Sequence, residues 1–159
     1  MPIKVEKVVS GGQTGADRAG LDAAVELGLE TGGWIPKGRL AEDGLVPRSY
    51  STLKETDSAN YPERTELNVR DSDCTVIVSR GKLTGGSLLT FEIAKQYGKP
   101  AIHIDLRSES PEKAALRLRD WLERNGCRVL NVAGPRASSD REIYSLARLL
   151  IVDSLAPSE

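Results

Sequence analysis

The stretch that decides the fold is residues 3–28, which read IKVEKVVSGGQTGADRAGLDAAVELG. The apolar residues over 3–9 predict a β-strand, and a glycine-rich turn follows it. Residues 17–28 follow helical spacing, with Leu21, Ala24 and Val25 on one face and Gly28 suited to the left-handed position that ends a helix. A strand, a glycine-rich turn and a helix in this order open an α/β fold with a parallel sheet.

The same alternation continues to the end of the chain. Strands are predicted at 31–35, 74–79, 101–106 and 127–133, and helices at 62–71, 87–97, 111–126 and from the capping box at 139–142 onward. Helical crossovers between parallel strands place helices on both faces of the sheet. We therefore expect a Rossmann-like, doubly wound parallel sheet in a single three-layer domain over residues 1–159.

The composition argues against several classes of protein. Lys and Arg total 22 and Asp and Glu total 23, so the formal charge is −1, which argues against a nucleic-acid partner. No apolar run approaches the roughly 20 residues that span a bilayer, and the first residues lack the apolar region of a signal peptide. We expect a cytoplasmic protein without membrane contact. Cys74 and Cys127 each open an apolar run, which predicts two buried free thiols and no structural metal.

Two glycine-rich loops carry the functional prediction, because ligands of such sheets bind outside the carboxyl ends of the strands. The loops span 10–17 and 83–87, and each opens a predicted helix. Glycine lets backbone N–H groups approach an anion, and a helix N-terminus adds about half a positive charge. We expect the loops to follow neighbouring strands and to form one cleft for a small anionic ligand; the alternative is a pair of tight turns. The expected contacts are Gly11, Gly12, Gln13, Thr14, Gly15, Asp17, Thr84, Gly85, Gly86 and Ser87.

A long segment extends the predicted site. Residues 36–61 exceed the roughly 12–15 residues usual for a structureless loop, and they start at the carboxyl end of a predicted strand. We expect this segment to fold over the cleft. Its Lys37 and Arg39, together with Arg64 beyond it, would neutralise the ligand from that side, because guanidinium groups bind phosphate bidentately.

Three titratable residues are candidates for acid–base or binding roles. Glu92 follows the second loop by about a turn and a half of helix, so we expect it to reach the cleft. Asp17 caps the first helix or binds a ligand hydroxyl or ring nitrogen. His103 lies within a predicted strand, where a hydrogen-bonded core role is favoured over catalysis. The sequence lacks the P-loop motif, the G-x-G-x-x-G motif of NAD enzymes and the G-x-S-x-G of α/β-hydrolases, so none of these classes is expected.

Four linked motifs resemble the bacterial putative molybdenum carrier family. They are SGGQTGADRAGLDAA at 10–24, GWIPKGRLAEDG at 33–44, YPERTELNVRDSD at 61–73 and GKLTGGSLLTFEIAKQYGKP at 81–100. The resemblance implies binding of the molybdenum cofactor, a phosphorylated pterin whose dithiolene holds the metal, so the protein itself needs no metal ligand. It also implies a fold relationship with the lysine-decarboxylase-like proteins, which include the Lonely Guy phosphoribohydrolases.

Two functions stay open at this point. The first is a non-catalytic binding protein for a phosphorylated pterin or nucleotide-like ligand. The second is a nucleoside monophosphate N-glycosidase, in which Glu92 or Asp17 acts on water or ribose and Arg64 orients the phosphate. The phosphoribohydrolase pattern P-G-G-x-G-T-x-x-E appears here as TGGSLLTFE, which keeps the glycine pair and the glutamate. The fold group further implies a homo-oligomer, either a dimer or a tetramer.

Overall fold

A computed structural model describes residues 5–157 and centres on a five-stranded parallel sheet in the order β2–β1–β9–β7–β8. The sheet strands are β1 (Lys7–Val9), β2 (Glu30–Gly32), β7 (Cys74–Ser79), β8 (Ala101–Asp105) and β9 (Val129–Ala133). Two smaller pairs join β3 (Trp34–Ile35) to β6 (Lys54–Glu55) and β4 (Leu40–Ala41) to β5 (Gly44–Leu45). The helices are α1 (Ala16–Glu26), α2 (Tyr61–Arg70), α3 (Gly85–Gln96), α4 (Pro111–Arg124) and α5 (Ile143–Leu155).

Helices cover both faces of the sheet, which confirms the Rossmann-like three-layer architecture. Helices α1, α4 and α5 share one apolar core with the sheet, and α2 and α3 form a separate cluster around Val69, Ile93 and Ala94. Successive residues of a strand point to opposite faces of the sheet. On β7, the side chain of Val76 belongs to the core shared with α1, α4 and α5. Because both faces are covered, every residue of β7 is buried, and four of its six residues are apolar, namely Cys74 and the run from Val76 to Val78.

The last strand of the chain, β9, lies at the centre of the sheet between β1 and β7. Its Leu130 pairs with Val8 on one side and with Cys74 on the other. The expectation that the two glycine-rich loops follow neighbouring strands was therefore wrong. Strand pairing over such a distance along the chain is a tertiary event that local patterns do not encode. As a consequence, the loop after β9 lies between the two glycine-rich loops.

Two predicted elements differ locally from the structure. The predicted strand at 31–35 divides at Gly33, whose φ is 130°, and its halves belong to different sheets. Helix α5 begins at Ile143, and its cap residue Glu142 makes no capping hydrogen bond through its side chain, so the predicted capping box is wrong. The N–H of Glu142 donates to Oδ1 of Asp140 at 3.1 Å instead of to Ser139, and the Asp140 carboxylate also binds Arg80. Residues 3–4 of the first predicted strand lie outside the described residues.

Cys74 and Cys127 are both buried, as expected, but they form a disulfide rather than two free thiols. Their Cα atoms lie 6.0 Å apart, because the neighbouring strands β7 and β9 begin side by side. The two residues are 53 positions apart in the sequence, so their pairing follows from the sheet order and not from any local pattern.

The segment at 36–60 is structured and does not cover the cleft. It contains β4, β5 and β6, and its Val46 and Leu53 pack in a small core with Ile35 and Leu21. Of the predicted segment at 36–61, Tyr61, the first residue of α2, lines the cleft described below and the others do not, which corrects the expected lid. Over residues 5–157, no helix combines the length and apolarity that crossing a membrane requires.

Candidate functional site

A cleft of about 650 Å³ opens at the carboxyl edge of the sheet. The loops after β1, β7 and β9 form its walls together with the first turns of α2 and α3. Numbered along this chain, the five sheet strands lie in the order 2-1-5-3-4, which becomes the Rossmann order 3-2-1-4-5 when β9 is counted as the first strand. In that order the ligand crevice lies where the crossovers turn in opposite directions, here between β9 and β7. The volume falls within the roughly 300–1,000 Å³ of small-molecule sites.

The N-terminus of α3 faces this cleft through Thr84, Gly85, Gly86 and Ser87. The side chain of Thr84 makes no capping hydrogen bond to the first turn. A Cβ atom added to Gly85 or Gly86 would meet open space, so nothing covers the backbone there. Uncapped N–H groups and the helix dipole make this terminus suited to an anion.

Basic side chains surround the same space. The cleft is lined by five basic side chains and two carboxylates. The basic residues are Arg64, Arg80, Lys82, Arg107 and Arg136, and the acidic residues are Asp17 and Asp140. Arg80 is held by both oxygens of Asp140, at 2.6 and 2.8 Å. Lys82 and Arg107 make no ion pair within residues 5–157. The cleft therefore carries a net positive charge and favours an anionic ligand.

The first glycine-rich loop is closed on itself. The N–H groups of Gly12, Gln13 and Thr14 donate to the Ser10 hydroxyl, the Asp17 carboxylate and the Gln13 side chain, at 3.3, 3.2 and 3.1 Å. These donors are therefore already used within the protein. Backbone N–H groups open to a ligand therefore lie at the second loop, at the start of α3, and not at the first loop.

The last glycine of the first loop, Gly15, allows close packing between loops. Gly15 has a φ of 82°, and an added Cβ atom would lie 2.4 Å from the carbonyl oxygen of Pro135, in the loop after β9. The Thr14 hydroxyl donates to Glu42, at the tip of the β4–β5 hairpin, and accepts from the N–H of Ala137 at 3.1 Å. Of the predicted contacts in this loop, Gly11, Gln13 and Asp17 line the cleft, while Gly12, Thr14 and Gly15 do not.

A carboxylate–guanidinium pair occupies the end of the cleft nearest α1. Asp17 is 6% exposed, and its Oδ2 lies 3.6 Å from Nη1 of Arg64. The same Nη1 donates to the carbonyl oxygen of Gly11 at 2.5 Å. Burial raises the pKa of the Asp17 carboxyl, against the opposing effect of Arg64 and of the N–H of Gln13. This end therefore offers a desolvated carboxyl group to a ligand.

Sequence reasoning missed the residues that the loop after β9 contributes. Arg136 stands with its guanidinium carbon 5.5 Å from the centre of the Tyr61 ring, and that of Arg64 lies 5.1 Å from the same centre. Such distances allow cation–π attraction. The rule that ligands bind after strand ends would have selected this loop had the central position of β9 been known.

Three further predicted site residues, Glu92, Lys37 and Arg39, lie outside the cleft. Glu92 is exposed, while the neighbouring Leu89 and Thr90 line the cleft in its place. Lys37 is exposed on the segment at 36–60, away from the cleft. The Arg39 guanidinium donates hydrogen bonds within the same segment, to the carbonyl oxygens of Val46, Pro47 and Tyr50. The sequence places Glu92 on the right helix, but the rotation of α3 on the sheet turns it away.

His103 makes a hydrogen bond at the edge of the site. Its Nε2 lies 2.6 Å from Oγ of Ser79, and Ser79 lines the cleft. Burial lowers the pKa of the imidazole.

Within residues 5–157, no group of three or more His, Cys, Asp or Glu side chains is arranged to hold a metal ion.

The fold and the cleft define a Rossmann-like α/β protein with a positively charged crevice at its switch point. The chain belongs to the circularly permutated YpsA SLOG family, whose model matches residues 8–155. The central position of β9 agrees with such a permutation, because the last strand here occupies the place that the first strand takes in the usual order.

A solved structure supports the same assignment. The chain is similar to the crystal structure of a putative molybdenum carrier protein from Syntrophus aciditrophicus SB, with 50% sequence identity and a TM-score of 0.96 over 98% of each chain. This similarity confirms the resemblance to the putative molybdenum carrier family. No curated protein matches the sequence.

Proposed function

We propose that this protein is a non-catalytic binding protein for a phosphorylated pterin, with the molybdenum cofactor as its cargo. The observation that carries the proposal is the uncapped N-terminus of α3, which faces a cleft lined by five basic side chains. A phosphate bound there would accept hydrogen bonds from Gly86 and Ser87, and Lys82 and Arg107 would neutralise its charge. The 50% identical carrier protein supports the choice of cargo.

The cleft also suits a ligand larger than a phosphate. Its volume of about 650 Å³ leaves room for a ring system beside the anion. The pterin dithiolene would hold the molybdenum, so the protein would bind the organic part and need supply no metal ligand. A nucleotide-like ligand has the same combination of ring and phosphate.

The N-glycosidase alternative is not favoured. It needs a carboxylate within hydrogen-bond reach of the ligand, and Glu92 lies outside the cleft. Asp17 is inside, but it lies beside Arg64 and accepts from the N–H of Gln13.

The assembly into a dimer or tetramer and the cytoplasmic location remain predictions from the sequence.

Denaturing extraction of freshly purified protein, followed by mass spectrometry and molybdenum analysis, tests the cargo. We expect a pterin phosphate and molybdenum in stoichiometric amounts. Recovery of a nucleotide or ribose phosphate without molybdenum would contradict the cargo but keep the anion site.

Charge variants test the anion site independently. We expect Lys82→Gln and Arg107→Gln each to weaken binding of ribose 5-phosphate by about ten- to a hundredfold, since a charge-assisted hydrogen bond contributes about 1.5–3 kcal/mol. Lys113→Gln is the matched control, because Lys113 is exposed on α4 and outside the cleft. Equal affinities for all three variants and the wild type would overturn the anion site.

A further inference from the structure

A buried amide at the α1 end of the cleft lacks one of its hydrogen bonds. Gln13 is 5% exposed and lines the cleft. Its Oε1 accepts from the N–H groups of Thr14 and Glu42, at 3.1 and 2.8 Å. These two bonds fix which end of the amide is oxygen. Its Nε2 is buried and has no partner within residues 5–157, which is unusual because buried donors are nearly always paired.

The neighbouring carboxyl group has spare accepting capacity. Oδ2 of Asp17 accepts from the N–H of Gln13 and lies near Arg64, while Oδ1 accepts no hydrogen bond from the described residues. The unpaired, buried amide N–H of Gln13 costs free energy, which a ligand acceptor would recover. Gln13 and Asp17, which are joined by the backbone N–H of Gln13 and both line the cleft, thus leave one side-chain donor and one acceptor unused at this end.

We propose that Gln13 and Asp17 form a head-group subsite that binds a lactam edge, meaning a ring N–H next to a ring carbonyl. The ring N–H would donate to Asp17, and the ring carbonyl would accept from Nε2 of Gln13. Pterins and 6-oxopurines both carry this edge. The inference rests on the proposed function, because it takes the ligand's phosphate to lie at α3.

The division of the cleft supports a neutral ring at this end. The anion-binding features, namely the α3 terminus with Lys82 and Arg107, lie on the β7 side. On the β1 side, the backbone donors of the first loop are already used, and the charge of Arg64 is balanced by Asp17. A ligand with a charged tail and a neutral hydrogen-bonding ring matches both ends.

Binding of three probes by titration calorimetry tests the subsite. Inosine monophosphate carries the lactam edge, adenosine monophosphate carries the reversed donor–acceptor pattern, and ribose 5-phosphate carries no ring. We expect inosine monophosphate to bind about tenfold or more tighter than either other probe, since an unpaired buried polar group is costly.

Two near-isosteric variants separate hydrogen bonding from charge. Gln13→Glu keeps the accepting oxygen and removes the donor, and Asp17→Asn keeps an acceptor for the N–H of Gln13. A charge effect alone would weaken anion binding in the first variant and strengthen it in the second. We expect both variants to weaken the binding of inosine monophosphate about tenfold more than the binding of ribose 5-phosphate. Ribose 5-phosphate lacks the ring that carries the lactam edge, so any change in its affinity reports a change in charge or in folding.

Each outcome decides the question. Similar affinities for inosine and adenosine monophosphate, or tighter binding of the latter, would overturn the lactam subsite while leaving the anion site intact. The subsite would also be overturned if Gln13→Glu weakened and Asp17→Asn strengthened the binding of inosine monophosphate and of ribose 5-phosphate to the same extent, because that is a charge effect alone. Failure of all three probes to bind the wild type would overturn the proposed function, and the subsite with it.

Discussion

Replacing Gly86 by alanine is expected to stabilise the fold and to weaken ligand binding. A Cβ atom at this position meets open space, and the residue does not have a positive φ. Alanine is favoured over glycine in a helix by about 0.5–1 kcal/mol. For a domain of this size, 1 kcal/mol corresponds to roughly 2–4 °C, so we expect the Tm to rise by about 1–4 °C.

The same methyl group would obstruct an anion. Each Cα–Cβ bond in a helix tilts toward the N-terminus, so the methyl of the Gly86→Ala variant projects toward the position of the bound phosphate. The phosphate oxygens need to approach the N–H groups to about 2.9 Å. We expect the affinity for ribose 5-phosphate to fall by about tenfold or more, because the hydrogen bonds at the terminus are lengthened or lost.

Gly85→Ala is the matched comparison. Its Cβ also meets open space, but Gly85 has a φ of 52°, and the left-handed conformation costs a non-glycine residue roughly 1–2 kcal/mol. This variant should lower the Tm and still weaken binding. Calorimetry measures both quantities in both variants. Wild-type affinity in both would refute the α3 terminus as the anion site, and a lower Tm for Gly86→Ala would refute the open space at its Cβ.

Three further changes test how the loops are held. Asp105 accepts from the N–H of Gly81, which lowers its pKa to about 2 from an ordinary 3.8, so the stability it provides is present above pH 3.8 and lost as the pH falls toward 2. Urea unfolding across this range should show that Asp105→Asn removes this part of the pH dependence. Glu42→Ala removes the acceptor for the hydroxyl and N–H of Ser138 and should lower the free energy of unfolding by about 1–2 kcal/mol; an unchanged value would contradict these bonds. Gly15→Ala forces a side chain into φ 82° against the loop after β9 and should cost about 2–4 kcal/mol, which a wild-type Tm would refute.

Local chemistry accounts for the elements that were predicted well. Strand β7 runs over Cys74–Ser79 as predicted, because a short apolar run bounded by polar residues is typical of a buried parallel strand. Helix α4 begins at Pro111, and the Ser110 hydroxyl accepts from the N–H of Lys113 at 3.3 Å. These outcomes depend on residues within a turn or two of one another, so sequence alone predicts them.

The partner of a local feature is harder to predict than the feature itself. Both glycine-rich loops appear where the sequence indicates them, yet their N–H groups have different fates. Those of Gly12 and Gln13 bond within the first loop, whereas the α3 terminus stays uncapped. Similarly, Glu92 lies on the expected helix but outside the cleft. The packing angle of each helix decides such cases, and it depends on contacts distant in sequence.

The sequence by itself determined the alternation of strands and helices, the three-layer class and the second glycine-rich loop, because propensity, capping and apolar spacing act over short distances. Only the tertiary structure decided that β9 lies between β1 and β7, that Cys74 meets Cys127 and that Arg136 joins the cleft. Those facts follow from which strand edges pair, and pairing is selected by the free energy of the whole core rather than by any one segment.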